Sequence, residues 1–127
     1  EPAVEDVGTN MVRGDYRGVE DEVKKNLAGY ESLVYHRGWI PDRFNEVADR
    51  RFSFVHIDVD FYEPVRDSLD FFLPRMVSGG VIVLDDYGCH QTPGALRAAD
   101  EIANRYRCHI SGLPYGQAFI IVHHGIE

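Results

Sequence analysis

Four aspartates follow two apolar segments of the chain, and their spacing is the feature best suited to chemistry. The segment FSFVHI is followed by Asp58 and Asp60. The segment VIVL is followed by Asp85 and Asp86. If the two segments are neighbouring parallel strands about 4.8 Å apart, Asp58, Asp85 and Asp86 converge at one edge of the sheet. Clustered carboxylates repel one another at neutral pH unless a cation lies between them, so the spacing indicates a cation site.

The residues between the two segments predict the crossover that would place them side by side. Apolar residues recur there at helical spacing, at Val65, Leu69, Phe72, Leu73 and Met76. Ser78-Gly79-Gly80 then predicts a turn into the second strand. A strand–helix–strand crossover is right-handed and leaves its strands parallel, and ligands bind at the carboxyl ends of such strands. The cation site has an alternative at this point, because either acidic pair alone fits solvated loop residues or a helix cap.

The rest of the chain alternates helices and strands. Helical patterns span residues 19–28, 41–48 and 93–106, and strand patterns span 32–36, 108–111 and 118–123. The last two strands are joined by a linker short enough for an antiparallel hairpin. Residues 1–18, rich in Gly, Asp and Glu, predict a loop, and His56 is predicted to be a core residue. The expected fold is one α/β domain over 1–127, with a mostly parallel sheet and an antiparallel C-terminal edge.

Composition limits the classes of partner. The net charge of −8 disfavours nucleic acid and anionic membranes, because both require a basic surface. No stretch approaches the ~18 apolar residues of a membrane span, and none has the pattern of a signal peptide. We therefore expect a cytoplasmic protein that binds cations or a positively charged ligand. The chain begins at Glu1 without an initiating methionine, which favours a processed chain or part of a longer one.

The acidic block resembles a known family of enzymes. The stretch HIDVDFYEPVRDSLDFFLPRMVSGGVIVLDDYG, with PGALRAADE and GQAFII after it, is similar to macrocin O-methyltransferases over about residues 14–122. The resemblance implies a Rossmann-like, S-adenosylmethionine-dependent enzyme of natural-product biosynthesis that methylates a hydroxyl of a sugar or related small molecule. It also implies a magnesium ion held by Asp58, Asp85 and Asp86. Asp60 is then implied as the general base.

The cofactor-binding part of this resemblance is incomplete. In the family, whose sheet order is 3-2-1-4-5-7-6, a first strand with a Gly-rich turn holds the methionine end of the cofactor and a second strand supplies an acid for the ribose. Neither pattern is found in these 127 residues. The implied cofactor contacts that remain are Gly38, Trp39 and Asp58. We therefore expect a sheet that lacks its first two strands and a chain that alone binds S-adenosylmethionine weakly. The strand over 32–36 would either pair with the strand at Phe52 or leave sheet edges unpaired.

Two functions from other classes compete with methyl transfer. A fragment or remnant of such an enzyme would fold, and could form a homo-oligomer through open sheet edges, without doing chemistry. A magnesium-binding phospho-receiver module also places paired acids after an apolar strand. A receiver, however, needs its acidic pair early and a lysine at a later strand end, whereas Lys24 and Lys25 are the only lysines in the sequence. The receiver is therefore the weaker of the two alternatives.

Overall fold

The structure, a computed structural model, describes residues 3–8 and 20–124. Its helices are α1 (Glu20–Asn26), α2 (Tyr62–Phe72) and α3 (Pro93–Tyr106). Its strands are β1 (Phe52–Ile57), β2 (Met76–Leu84), β3 (Ser111–Gly112) and β4 (Ala118–Ile121). Short 3-10 turns lie at Val4–Asp6, Phe44–Val47, Leu73–Arg75 and Pro114–Gly116. The first position of the helix predicted over 19–28 and most of the loop predicted over 1–18 lie outside the described residues.

One sheet contains the four strands, in the order β1-β2-β4-β3. β1 and β2 are parallel, with Ile57 opposite Leu84. β4 runs antiparallel to both β2 and β3, and Ala118 is opposite Leu84. The predicted α/β class, the crossover and the C-terminal hairpin are therefore confirmed. The order corresponds to the 4-5-7-6 half of the sheet that the resemblance implies, although parallel pairing in the described part is confined to β1 and β2.

The core lies between the sheet and the helix pair α2 and α3. Its buried side chains include Val65 and Leu69 from α2, Ala99 and Ile102 from α3, and Val55, Ile57, Ile82 and Ile120 from the sheet. Alanines on the buried side of α3 keep that helix close to its neighbours. The alternate side chains of β1 face the other way, and Phe54 is 61% exposed. Within the described residues, the helices thus cover one face of β1 and leave the other open.

The strand predicted over residues 32–36 is absent. Residues 33–37 are irregular and exposed, and β1 is an edge strand among the described residues. A strand exists only where its backbone N–H and C=O groups meet a partner strand. The segment has the composition of a strand but lacks such a partner in the described part of the chain, so the sheet edge at β1 stays unpaired.

Two smaller predictions also change. The helix predicted over 41–48 is a single 3-10 turn at Phe44–Val47. The turn predicted at Ser78-Gly79-Gly80 is a bulge inside β2, since Phe52 pairs with Met76 but Phe54 already pairs with Val81. Gly79 adopts a φ of +82°, a conformation that glycine adopts without steric cost, and the bulge uses it.

Among the described residues, no helix combines the length and the apolar content that crossing a membrane requires.

Candidate functional site

Three carboxylates meet at the edge where β1 and β2 end. One oxygen from each of Asp58, Asp60 and Asp86 lies within 4.8 Å of the other two. Asp60 has a left-handed backbone with φ of +62°, which aspartate tolerates better than most residues. In this conformation the Asp60 N–H donates to Asp86 Oδ2 at 3.0 Å, so the two strand ends are tied together. Carboxylate oxygens are the donors that hard divalent cations such as Mg²⁺ prefer, so the carboxylates at this edge fit a magnesium ion.

Asp85 lies beside this group but its side chain has different partners. Gln117 Nε2 donates to Asp85 Oδ1 at 2.6 Å, and His56 Nε2 lies 3.2 Å from the same oxygen. The structure therefore brings Asp58 and Asp86 together as the sequence predicts, adds Asp60 to them, and places Asp85 against Gln117 and His56. His56 is exposed, so its prediction as a core residue is wrong. The reason is that His56 alternates with the buried Val55 and Ile57 and faces the open side of β1.

Gln117 was not predicted as a site residue, and its position follows from the pairing of β4 with β2. β4 pairs antiparallel with β2, with Ala118 opposite Leu84. The residue before Ala118 must then lie beside the residue after Leu84, and these are Gln117 and Asp85. The predicted order of the strands indicates that β4 lies beside β2, but the register that sets Gln117 against Asp85 is evident only in the structure.

The clustered charges alter the acidity of two members. The pKa of Asp86 is raised to about 6, mainly by burial, with further contributions from the charges of Asp60, Asp58 and Asp85. The Asp60 N–H opposes this increase. Burial also raises the pKa of Asp60, and the charges of Asp58 and Asp85 add to the effect. A cation bound among these groups would offset their repulsion.

The loop after β2 holds the acidic edge in place. It forms one wall of a cavity of about 540 Å³ that the four aspartates share with Cys89 and Thr92. The buried hydroxyl of Thr92 donates to the Asp86 carbonyl at 3.1 Å. The Gly88 N–H donates to the Gly116 carbonyl at 2.7 Å, which fixes this loop to the turn before β4. A Cβ at Gly88 would lie 3.1 Å from Gly116 Cα, a tight contact, so the absence of a side chain at Gly88 favours the close approach of the two backbones.

The residues expected on the cofactor side border a second groove. Trp39 is 80% exposed and lines this groove with Val59, Phe61 and Arg66. Gly38 belongs to the same groove and has a φ of +153°. Asp58 is not part of its lining, but the adjacent Val59 is. The groove and the acidic cavity therefore meet at the strand end that contains Asp58, Val59 and Asp60.

The fold is that of known methyltransferases. The structure is similar to the O-methyltransferase NovP, with a TM-score of 0.64 and 22% identity over 83% of this chain and 45% of that chain. It is also similar to the calicheamicin methyltransferase CalS11, with a TM-score of 0.54 and 20% identity over 64% of this chain and 32% of that chain. The family model described as Macrocin-O-methyltransferase (TylF) matches residues 5–109. The chain therefore belongs to the macrocin O-methyltransferase family.

Two curated relatives are similar over part of their length. The 8-demethyl-8-(2,3-dimethoxy-alpha-L-rhamnosyl)-tetracenomycin-C 4'-O-methyltransferase of Streptomyces olivaceus is 28% identical over 71 residues, which are 53% of this chain and 27% of the relative. The demethyldecarbamoylnovobiocin O-methyltransferase of Streptomyces niveus is 28% identical over 93 residues, which are 67% of this chain and 36% of the relative. The chain thus spans about a third of the length of the curated relatives that it matches.

Proposed function

We propose that this chain supplies the metal-binding and hydroxyl-activating part of an O-methyltransferase. Its substrate would be a hydroxyl of a sugar or related natural product, and its methyl donor S-adenosylmethionine. The observation that carries the proposal is the meeting of Asp58, Asp60 and Asp86 within 4.8 Å at the carboxyl edge, in a member of this family. The names of the relatives, which specify a rhamnosyl-tetracenomycin and a novobiocin derivative as acceptors, support the substrate class.

The proposed magnesium ligands are Asp58, Asp85 and Asp86. Asp58 and Asp86 already direct oxygens to a common point. Asp85 is held beside them, and its two side-chain contacts among the described residues both fall on Oδ1, which leaves Oδ2 for the ion. When bound, a magnesium ion would polarise the acceptor oxygen and lower the pKa of its hydroxyl.

Asp60 is the proposed general base. Its pKa is raised by burial and by the charges of Asp58 and Asp85, so it accepts a proton more readily than an ordinary aspartate does. Its backbone is fixed by the bond from its N–H to Asp86, which holds its carboxylate at the edge of the metal site. Asp60 would therefore remove the proton of the acceptor hydroxyl while the neighbouring carboxylates hold the ion.

The proposed cofactor side consists of Gly38, Trp39 and Asp58. The exposed indole of Trp39 offers a flat apolar face to the adenine ring, and the groove that it lines meets the acidic cavity at Val59. The net negative edge also suits the positive sulfonium of S-adenosylmethionine, which supplies the methyl group when bound. With the cofactor in this groove and the acceptor hydroxyl at the acidic edge, the acceptor oxygen and the methyl carbon would react with little further reorganisation.

Calorimetric titration with Mg²⁺ and Mn²⁺ tests the metal site. Asp85→Asn and Asp86→Asn should each weaken binding strongly, because each removes a charged donor from the ion. Asp49→Asn is the matched control, since Asp49 is an exposed aspartate shortly before β1, at the opposite end of that strand from Asp58. Unchanged affinity in the Asp85 variant would remove this residue from the proposed ligand set, and no binding to the unaltered chain would remove the site itself.

A folded chain without chemistry is the second candidate function. The unpaired edge of β1 and the exposed Phe54 on the open face of the sheet favour it among the described residues. Such a chain could associate with a second copy through that edge. Transfer of labelled methyl groups to a sugar-bearing acceptor would decide for the enzyme, whereas sedimentation as a dimer without any transfer would decide for this alternative. Membership of the family leaves no support for the phospho-receiver.

A further inference from the structure

The amide of Gln117 is fixed against the carboxylate of Asp85. Nε2 of Gln117 donates to Asp85 Oδ1 at 2.6 Å, and the bond follows from the register of β2 with β4. His56 Nε2 lies 3.2 Å from the same oxygen. Because both partners meet Oδ1, the rotation of the Asp85 carboxylate is restricted, and Oδ2 has no side-chain hydrogen bond among the described residues.

The backbone that carries Gln117 is itself anchored to the acidic edge. The Leu113 N–H donates to the Gln117 carbonyl at 2.7 Å and closes the turn before β4. The next residue back, Gly116, accepts from the Gly88 N–H at 2.7 Å. Gly116 has a φ of +89°, and a Cβ there would lie 3.3 Å from the Cys89 nitrogen. Gln117 therefore projects from a turn that is bonded directly to the loop after Asp85 and Asp86, and not from a freely moving loop.

We propose that Gln117 is a positioning residue, which orients the Asp85 carboxylate so that Oδ2 faces the metal site. This inference rests on the proposed function, in which Asp85 binds the ion. Without the amide, Asp85 can rotate toward His56 or toward solvent, and the ion would have to fix it at an entropic cost. Residues that hold metal ligands in this way typically contribute about 10–100-fold to metal affinity.

The test is Mn²⁺ titration of the 127-residue chain and of Gln117→Leu, which removes the amide and keeps most of the side-chain volume. We expect Mn²⁺ affinity to fall by about 10–100-fold. Asn104→Leu is the matched control, because it also replaces an amide by leucine but at an exposed position of α3 outside the acidic cavity. Its affinity should stay close to that of the unaltered chain. Thermal unfolding without metal, recorded for all three, would reveal a variant that is merely misfolded.

A double-mutant cycle separates positioning from a general structural role. If Gln117 acts through Asp85, the loss caused by Gln117→Leu should be much smaller once Asp85→Asn is already present. Equal losses in both backgrounds, or equal affinity of Gln117→Leu and the unaltered chain, would overturn the inference and leave the proposed function intact. Failure of the unaltered chain to bind Mn²⁺ would instead overturn the metal site and the inference together.

Discussion

Replacing Gly94 by alanine should destabilise the fold, because the new methyl group would overlap a buried carboxylate. Gly94 is the second residue of α3 and is buried. A Cβ there would overlap Asp6 Oδ1 and would lie 2.7 Å from Asp6 Cγ and 3.0 Å from Tyr62 Cβ. Neither neighbour is the end of a long flexible side chain. Asp6 would therefore have to leave its position.

The position that Asp6 would leave is a helix cap. Asp6 is 2% exposed, its Oδ1 accepts from the Tyr62 N–H at 2.9 Å, and its Oδ2 accepts from the Ala3 N–H at 2.8 Å. Tyr62 is the first residue of α2, and the preceding Phe61 has no polar side chain with which to cap that helix. Asp6 thus accepts a hydrogen bond from a free N–H at the start of α2, although it lies far from that helix in the sequence. Its negative charge also suits the positive end of the helix dipole.

The expected loss follows from these contacts. Removing a helix cap costs about 0.5–2 kcal/mol, and losing a hydrogen bond to a charged group costs about 1.5–3 kcal/mol. The two terms overlap for Asp6, so we expect Gly94→Ala to lower the free energy of unfolding by about 2–4 kcal/mol. For a domain of this size each kcal/mol lowers Tm by roughly 4 °C.

Denaturant unfolding followed by circular dichroism measures this loss. Gly29→Ala is the matched control, because a Cβ at Gly29 would meet nothing within 4 Å. Asp6→Ala should restore room for the new methyl, so the double variant should be little less stable than Asp6→Ala alone. The reasoning is refuted if Gly94→Ala is as stable as the Gly29 control, or if the losses at Asp6 and Gly94 simply add.

Four further predictions concern the acidic edge and the groove. Because the pKa of Asp86 is raised to about 6, Mg²⁺ must displace a proton from Asp86 below that pH. The Mg²⁺ affinity should therefore fall there by up to about tenfold per pH unit. An Mg²⁺ affinity that stays constant between pH 7 and 5 contradicts this. In the metal-free chain, by contrast, the raised pKa of Asp86 makes the fold more stable at low pH. This contribution is fully present below the unfolded pKa of Asp86 and is lost as the pH rises through about 6. Denaturation at a series of pH values would show the change. Asp60→Asn in an active enzyme should lower turnover by about 10²–10⁴-fold with nearly unchanged metal affinity, and a joint loss would make Asp60 a ligand. Titration with S-adenosylmethionine, followed by the fluorescence of Trp39, the single tryptophan, should reveal only weak binding to the 127-residue chain, and micromolar quenching would contradict that expectation.

The elements that sequence patterns predict best are those whose signals are local. The pattern over residues 93–106 predicts α3 at the bounds that the structure has, because proline begins the helix and Arg107 ends it in a left-handed conformation. β1 and β2 are similarly evident, since an apolar segment is followed in each case by aspartates. The prediction of a strand over 32–36 is wrong for a reason that is not local. Its composition favours a strand, but a strand also needs a neighbour, and the described residues provide none.

The candidate site also has a part that the sequence predicts and a part that it does not. The sequence predicts which aspartates reach the edge, but the grouping of their carboxylates depends on side-chain direction. Asp85 and Asp86 lie just beyond the end of β2 and line the same cavity, but their side chains have different partners. Asp85 Oδ1 contacts His56 and Gln117, and Asp86 is joined by Asp60. The left-handed backbone of Asp60, which directs its N–H at Asp86, could not be read from residue types alone.

The two binding regions depend on different parts of the chain, and this makes them separable. The contacts that fix the acidic edge run among β1, β2, the loop after Asp86 and the turn before β4, all inside the described part of the chain. The groove at Trp39 is instead lined in part by residues 38–41, which follow an exposed segment, residues 33–37, without regular structure. Metal affinity should therefore be measurable in the 127-residue chain whether or not that chain binds the cofactor tightly. A chain that binds Mn²⁺ through Asp86 but S-adenosylmethionine only weakly would show that the metal site is formed by β1, β2 and β4 alone, whereas the cofactor groove needs further contacts.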